Sequence, residues 1–428
     1  MLTASTLRPV LRTFAPLFKG RSSLPVLETV RLTISETAVS IAATNLDVFL
    51  TWHQPTPMPP DGTLAYFQER ARRRGLVAFD GCVNWRDLKT FIDQLPPMCT
   101  PGVTLSGNEV MDDPVVLTLT GTSKDGIAYS QPFPVIGIEE FPHDFVADFA
   151  AEALKETGKP QRLAKSAVIP SFGPRLRAIM PGIATDETRY VLNGVFSAGN
   201  GELVATNGRM LALSRPPADP ASPMPAFIVP SLVCHLLDDL LPETPASATF
   251  TVYGDAPKKD EDFIASHFSL ACGHWQISGK LIDGNYPNYR QVIPLTSEQN
   301  YQHLHLAPED VTRIRTLCQT ASKKANTLVH FQTSATALTV QARQKPERVI
   351  ATLTIPHSPA TMANATLRNQ PVTQWHGACE SAFNPELLLG ALPPMDGQSV
   401  LNLASNAPST FEHSSGFLSV IMPIRKND

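Results

Sequence analysis

The feature that most restricts this chain is a helix pattern repeated three times at domain-sized spacing. The segments VNWRDLKTFIDQLPP (83–97), VPSLVCHLLDDLLPE (229–243) and FNPELLLGALPPM (383–395) each open on a polar or proline start signal and carry apolar residues at helical spacing. Each then stops at Leu-Pro, because proline cannot continue a helix. They recur about every 150 residues, the size of an ordinary domain. A chain of 428 residues is in any case too long for one core, since single cores stop growing at roughly 250–300 residues.

A second helix is expected ahead of each: LRPVLRTFAPLF (7–18), IPSFGPRLRAIM (169–180) and PEDVTRIRTLCQ (308–319), with apolar residues three and four apart. Between them lie alternating, β-branched runs such as VRLTISETAVSIAATNLDVFLTW and TLVHFQTSATALTVQA. The order helix, strands, helix, strands therefore occurs three times. It predicts an α+β chain of three similar domains at 1–148, 149–298 and 299–428. Two copies share residues as well as order: ATNL (43–46) matches ATNG (205–208), and IEEFP (138–142) matches IDGNYP (282–287).

Composition closes off several function classes. With 43% hydrophobic and 17% charged residues, and no apolar run near the roughly 20 residues a bilayer span needs, no membrane protein is expected. The first residues, MLTASTLRPVLRTF, lack the unbroken apolar core of a secretory signal, so a cytoplasmic location is expected. The six cysteines form no CxxC pair, which argues against a zinc site or a disulfide framework. A net charge of −4 supplies no bulk attraction to nucleic acid, so a DNA role has to rest on a locally basic surface. Neither Cys234 with His235 nor His376 with Cys379 sits in a nucleophile elbow, and no GxxxxGK[ST] phosphate loop occurs. No enzyme and no cofactor are expected. Two stretches look like insertions: 61–79, with Arg70, Arg72, Arg73 and Arg74, and the mixed-charge loop at 253–267.

Six short segments, in order, then resemble the β subunit of bacterial DNA polymerase III, the β sliding clamp family. LPVL (24–27) resembles its Leu-Pro-Ile-Leu, TNL (44–46) its Thr-Asp-Leu, and RYVLNG (189–194) its Arg-Tyr-Tyr-Leu-Asn-Gly. VATNGRML (204–211) is similar to Val-Ala-Thr-Asp-Gly-His-Arg-Leu, LIDGNYPNYR (281–290) to Leu-Ile-Asp-Gly-Arg-Phe-Pro-Asp-Tyr-Arg, and VIMPIR (420–425) to Val-Val-Met-Pro-Met-Arg. The resemblance spans most of the chain. It implies three clamp domains with helices inside and antiparallel sheets outside, and a head-to-tail homodimer that closes into a ring around double-stranded DNA without reading its sequence. The implied partners are the polymerase III catalytic subunit, the clamp loader and other proteins bearing clamp-binding peptides. A divergent paralogue with a specialised partner set is the alternative reading.

The resemblance also assigns residues. Arg21 and Arg86 match positions the family uses on DNA, and Arg12, Arg177, Arg313 and Lys323 lie on or just after expected helices, away from the apolar stripe. A peptide groove is carried over to Leu192, Thr206, Gly208, Leu211, Pro287, Val292, Val420, Met422, Pro423 and Ile424, where a few apolar anchors supply most of the affinity. Phe133 and Leu317 are candidates for the dimer seam. The chain departs from the family at Arg209-Met210 in place of His-Arg, at Gln291, at both Thr-Asn motifs, and in a tail running past Arg425 to Asp428.

Overall fold

The computed structural model describes residues 3–424, apart from residues 21, 36–37, 56–78, 107–114, 145–161, 218–224, 242–246, 256–262, 297–300, 346–347, 357–365, 368–369, 372–377 and 406. The expected domain boundaries at 148/149 and 298/299, residues 61–78 of the first insertion and residues 256–262 of the second lie outside the described residues.

The first third runs α1 (Ala4–Thr13), β1 (Thr29–Ile34), β2 (Ala38–Thr44), β3 (Val48–Pro55), β4 (Phe79–Asn84), α2 (Trp85–Gln94), β5 (Gly102–Ser106), β6 (Val116–Thr122) and β7 (Ala128–Pro134). The middle third runs β8 (Arg162–Ile169), α3 (Phe172–Ile179), β9 (Gly194–Ser197), β10 (Leu203–Thr206), β11 (Met210–Ser214), β12 (Phe227–Pro230), α4 (Ser231–Leu240), β13 (Ala248–Asp255), β14 (Ala265–Cys272) and β15 (Trp275–Lys280). The last third runs β16 (Gln302–Leu306), α5 (Pro308–Ser322), β17 (Thr327–Thr333), β18 (Ala337–Gln344), β19 (Arg348–Pro356), the two-residue strands β20 (Thr366–Leu367) and β21 (Gln370–Pro371), β22 (Glu380–Phe383), α6 (Pro385–Ala391), β23 (Ser399–Leu403), β24 (Ser409–His413) and β25 (Phe417–Ile421). The α+β reading is borne out.

The helix ends have local causes. Asn84 Oδ1 accepts from the Arg86 and Asp87 amides at 2.9 and 3.2 Å and starts α2, and Asn384 Oδ1 accepts from the Glu386 and Leu387 amides and starts α6. α2, α4 and α6 all stop short of a Leu-Pro. The first expected helix is displaced: α1 begins before residue 7, carries Pro9 inside it and ends at Thr13, and Ala15–Phe18 forms a separate 3₁₀ turn with Pro16 near its start. A proline within the first turns removes only one backbone bond, whereas Pro16 forces a new start.

One partner of each helix pair holds the end of the other. Arg8 on α1 donates to the carbonyls of Ile92, Asp93 and Leu95 at the end of α2. Arg177 on α3 donates to the Asp238 carbonyl on α4 at 3.0 Å. Arg315 on α5 donates to the Pro393 carbonyl after α6 at 3.1 Å. A cation on the exposed carbonyls of a helix C-terminus satisfies them and opposes the helix dipole. The threefold pattern thus extends to an interaction that no sequence motif had marked.

Among the described residues all strand pairings are antiparallel, and two sheets of eight strands dominate. The first has the order β4-β1-β2-β3-β15-β14-β13-β8, and its halves join where Trp52 on β3 lies opposite Trp275 on β15. The second has the order β12-β9-β10-β11-β25-β24-β23-β16, joined where Leu211 on β11 lies opposite Val420 on β25. Two smaller sheets are β5-β6-β7 and β19-β18-β17-β22, and β20 pairs with β21. Because strands from successive thirds share sheets, the chain divides into two compact units that cut across the expected central domain. The first comprises residues 1–167, 239–241 and 249–280, and the second residues 168–238, 242–248 and 281–428.

Candidate functional site

Ten groove positions were expected, and all of them belong to the second unit. Its centre is the hairpin of β10 and β11. Asn207 Oδ1 accepts from the Arg209 and Met210 amides, both at 3.0 Å, Thr206 Oγ1 donates to the Met210 carbonyl at 2.7 Å, and Gly208 turns the chain at φ +82°. The turn at 44–48 is built alike: Asn45 Oδ1 accepts from the Asp47 and Val48 amides, and Leu46 takes the positive φ. Asn supplies the same carbonyl acceptor as Asp in an Asx turn, so the Thr-Asn departures leave the turns intact.

The hairpin sets Leu211 and Leu213 on the same sheet face as Val420 and Leu418 of the neighbouring β25. With Val204 and Tyr289 these form one buried cluster, against which Phe196, Tyr286 and Ile293 pack. Tyr286 stacks on Phe196, with ring centroids 4.7 Å apart and planes 5° off parallel. Around this floor the apolar rim is open: Tyr190 is 58% exposed, Val292 54% and Met422 49%. The Met422 amide continues the ladder by donating to the Arg209 carbonyl at 3.1 Å.

The remaining positions sit at different depths. Leu192 is buried, Pro287 is exposed, and Pro423 is half-buried. The loop carrying Pro287 lies close to the segment carrying Leu192: a Cβ on Gly284, at φ +132°, would lie 2.8 Å from Val191 Cγ1. Gly208 is covered by the Arg189 guanidinium, 2.7 Å from where a Cβ would stand. Ile424 behaves otherwise. Its amide donates to Ala382 on β22, and it lines a pocket of about 400 Å³ with Lys324, Lys345, Asn384 and Glu386, which none of the other expected groove residues lines.

Sequence reasoning missed Tyr289, Phe196, Tyr286 and Glu202. Tyr289 stood in the matched PNYR segment, and its role follows only from packing. Glu202 gave no signal at all, since an acid in a Gly-Asn-Gly-Glu turn reads as solvated surface. It is 8% exposed, and its Oε2 accepts from the Tyr289 hydroxyl at 2.6 Å and from Arg290 Nη2 at 2.7 Å. Burial works against its charge, but these donors, with Asn200 and Arg215, hold its carboxyl below the usual glutamate value. Burial and Glu202 together push the Tyr289 hydroxyl up to about 12.

The basic positions divide by what holds them. Arg21 lies outside the described residues. Arg86 is exposed in the first turn of α2, where a cation is opposed by the helix dipole, so its placement is not explained by helix stability. It borders a cleft of about 170 Å³ with Phe18, Lys19 and Trp85. Arg12 is 67% exposed and only 3.9 Å from Asp93, Arg313 lies 3.6 Å from Asp310, and Lys323 is exposed just past α5. Arg177 is different: it is paired with Asp238 at 2.6 Å as well as holding the helix end. Phe133 and Leu317 are both core residues of their units. Phe133 is 2% exposed and meets Phe91 edge to face, and Leu317 is buried on α5.

No protein-family profile matches this chain. The curated β sliding clamp of Caulobacter vibrioides is 24% identical over 282 residues, 64% of this chain and 62% of that protein. This sequence match thus spans less than two thirds of that relative's length. A crystal structure of the C. crescentus β sliding clamp superposes with a TM-score of 0.69 at 19% identity, covering 99% of this chain and 98% of that one. The Helicobacter pylori β clamp bound to a DNA ligase peptide gives 0.67 at 15% identity, with 99% of each chain covered.

The chain has the fold of the β sliding clamps.

Burial shields two of the thiols that the sequence pairs with histidines. Cys234 is buried and pushed up to about 12 by desolvation, and burial raises Cys379 as well, so neither offers a thiolate at neutral pH. His376 lies outside the described residues. Among the described residues no helix is long and apolar enough to cross a membrane.

Proposed function

We propose that this chain is a non-enzymatic DNA sliding clamp, a processivity factor that encircles duplex DNA and tethers a replicative polymerase, its loader and other partners through a peptide groove. The observation that carries this reading is the second eight-stranded sheet. It joins the C-terminal strand β25 to β11 and leaves Tyr190, Val292 and Met422 exposed around a buried aromatic and aliphatic floor. An open apolar rim on a fixed floor suits a short peptide with a leucine or aromatic anchor.

The ring reading draws on the two smaller sheets. β5 ends one and β19 ends the other, so head-to-tail pairing of these edges between copies gives a seven-stranded sheet close in size to the two eight-stranded ones. A heterologous contact of that kind closes into a ring when the rotation allows. The three-domain division at 1–148, 149–298 and 299–428 belongs to this reading, with β3·β15 and β11·β25 as the joints between domains. With Phe133 and Leu317 buried, the seam is carried by strand edges. Arg21, Arg86, Arg12, Arg313 and Lys323 are the phosphate contacts, as sequence-independent retention requires. A cytoplasmic site of action follows from the role.

The test is retention on nicked circular DNA after loading, before and after the circle is cut. Loss on linearisation establishes encirclement. Equal, salt-sensitive retention on both forms overturns it. One observation favours the second reading, a paralogue with its own partner set: Arg209 puts a guanidinium on the exposed turn and Met210 is buried, where the family has His-Arg. Binding of a panel of partner peptides separates the two.

A further inference from the structure

The wall of the groove formed by residues 287–292 belongs to no strand. It is a 3₁₀ turn, Tyr289–Val292, closed by long amide bonds from Gln291 to the Asn288 carbonyl (3.3 Å) and from Ile293 to the Arg290 carbonyl (3.4 Å). Such a turn is held chiefly by what its side chains reach. Tyr289 reaches into the Val204, Leu211 and Val420 cluster, and its hydroxyl meets Glu202, as does Arg290 from the next position.

We propose that Glu202 is a positioning residue for the groove: its buried carboxylate pins Tyr289 and Arg290 and so fixes the turn that presents Pro287 and Val292 to a bound peptide. This inference rests on the groove reading. Glu202 itself is fixed from behind. The Ala198 amide donates to its carbonyl at 2.9 Å, its own amide donates to Asn200 Oδ1 at 3.2 Å, and buried Arg175 donates to the adjacent Gly201 carbonyl at 2.6 Å. Arg175 also holds the Ser214 carbonyl at the end of β11, so one guanidinium ties the Glu202 turn to the groove strand. Arg290 lies over the Tyr289 ring at 5.6 Å. The charge is therefore placed where one acceptor locks two consecutive residues of an otherwise weakly bonded wall. Glu202 never touches the peptide. It removes the ordering cost the peptide would otherwise meet on binding.

Charged and titratable groups face Glu202 from each element around it: Tyr289 and Arg290 on the turn, Arg215 after β11, and Arg175 on α3. With its carboxyl held below the usual glutamate value, the lock is present at neutral pH and is lost as pH falls through the folded-state value.

The experiment uses the full chain with Glu202→Gln and with Tyr289→Phe, which keeps the ring in the cluster and removes only the hydroxyl. Hydrogen exchange on the ligand-free protein reads the positioning directly. The amides of Gln291 and Ile293 should exchange faster in both variants, with the β10 and β11 amides unchanged. Anisotropy of a fluorescein-labelled decapeptide carrying adjacent leucine and phenylalanine reads the consequence: about tenfold weaker binding in Glu202→Gln at neutral pH, the order expected for a lost charge-assisted bond. The parent should lose affinity on the acid side as Glu202 is protonated, and that loss should be absent in the variant. Parent-like exchange at Gln291 and Ile293, or parent-like affinity and pH profile in Glu202→Gln, overturns the proposal. A parent that ignores the peptide, or a 422–428 deletion that binds as the parent does, overturns the groove reading instead, and exchange then decides the role of Glu202 alone.

Discussion

Single side chains in this protein do work that their type alone does not announce. Asn207 and Asn45 are departures from the family's aspartate, yet each holds a turn through a carbonyl oxygen that accepts two amides. Asn207→Asp should therefore change the urea midpoint little, within about 0.5 kcal/mol, while Asn207→Ala should cost about 1 kcal/mol by orphaning both amides. Equal loss in the two variants would reject the acceptor account. Arg177 and Arg86 make the opposite point, since both read as basic positions on or beside helices. The structure engages Arg177 with Asp238 and leaves Arg86 exposed against an unfavourable helix dipole. A guanidinium's partner lies far off in sequence, so no local pattern separates the two cases.

At the scale of elements, the helix pairs are stapled by arginine and the groove is assembled from strands distant in the chain. Arg315→Ala strips the donor from the Pro393 carbonyl. It should lower stability by about 1–3 kcal/mol, read as a urea midpoint shift, with Arg8→Ala moving in the same direction. A variant indistinguishable from the parent would show the contact to be incidental. Removing residues 422–428 takes away exposed Met422 and its bond to the Arg209 carbonyl but leaves β25 paired to both neighbours. Peptide binding should vanish while the oligomeric mass stays unchanged, and retained affinity would refute the groove. The helix starts and Leu-Pro stops were legible because caps and prolines act within a turn. The Tyr289 floor and the Glu202 lock were not, because they join residues almost ninety positions apart through a fold-dependent register.

For the whole molecule, the two edge strands β5 and β19 set the expectation of a ring. The mass in solution should be twice the 46.5 kDa of the chain, and a monomer at micromolar concentration would speak against closure. Arg21→Ala with Arg86→Ala should shorten retention on circular DNA and reduce its salt dependence by about one to two released counterions, measured as the slope of log affinity against log salt. An unchanged slope would remove both residues from the DNA surface.

Sequence by itself determined the repeated order of helices and strands and the Leu-Pro stops of α2, α4 and α6, because each rests on short-range rules of backbone sterics and hydrogen bonding. Six short resemblances in chain order pointed to the clamp fold that the structure has. Only the tertiary structure decided that Phe133 and Leu317 are core, that Arg177 is paired, and that successive thirds merge into shared eight-stranded sheets. It also decided that a buried glutamate stands behind the groove wall. Those facts depend on which strands meet and in what register, and burial and charge pairing are settled only once distant segments have been brought together.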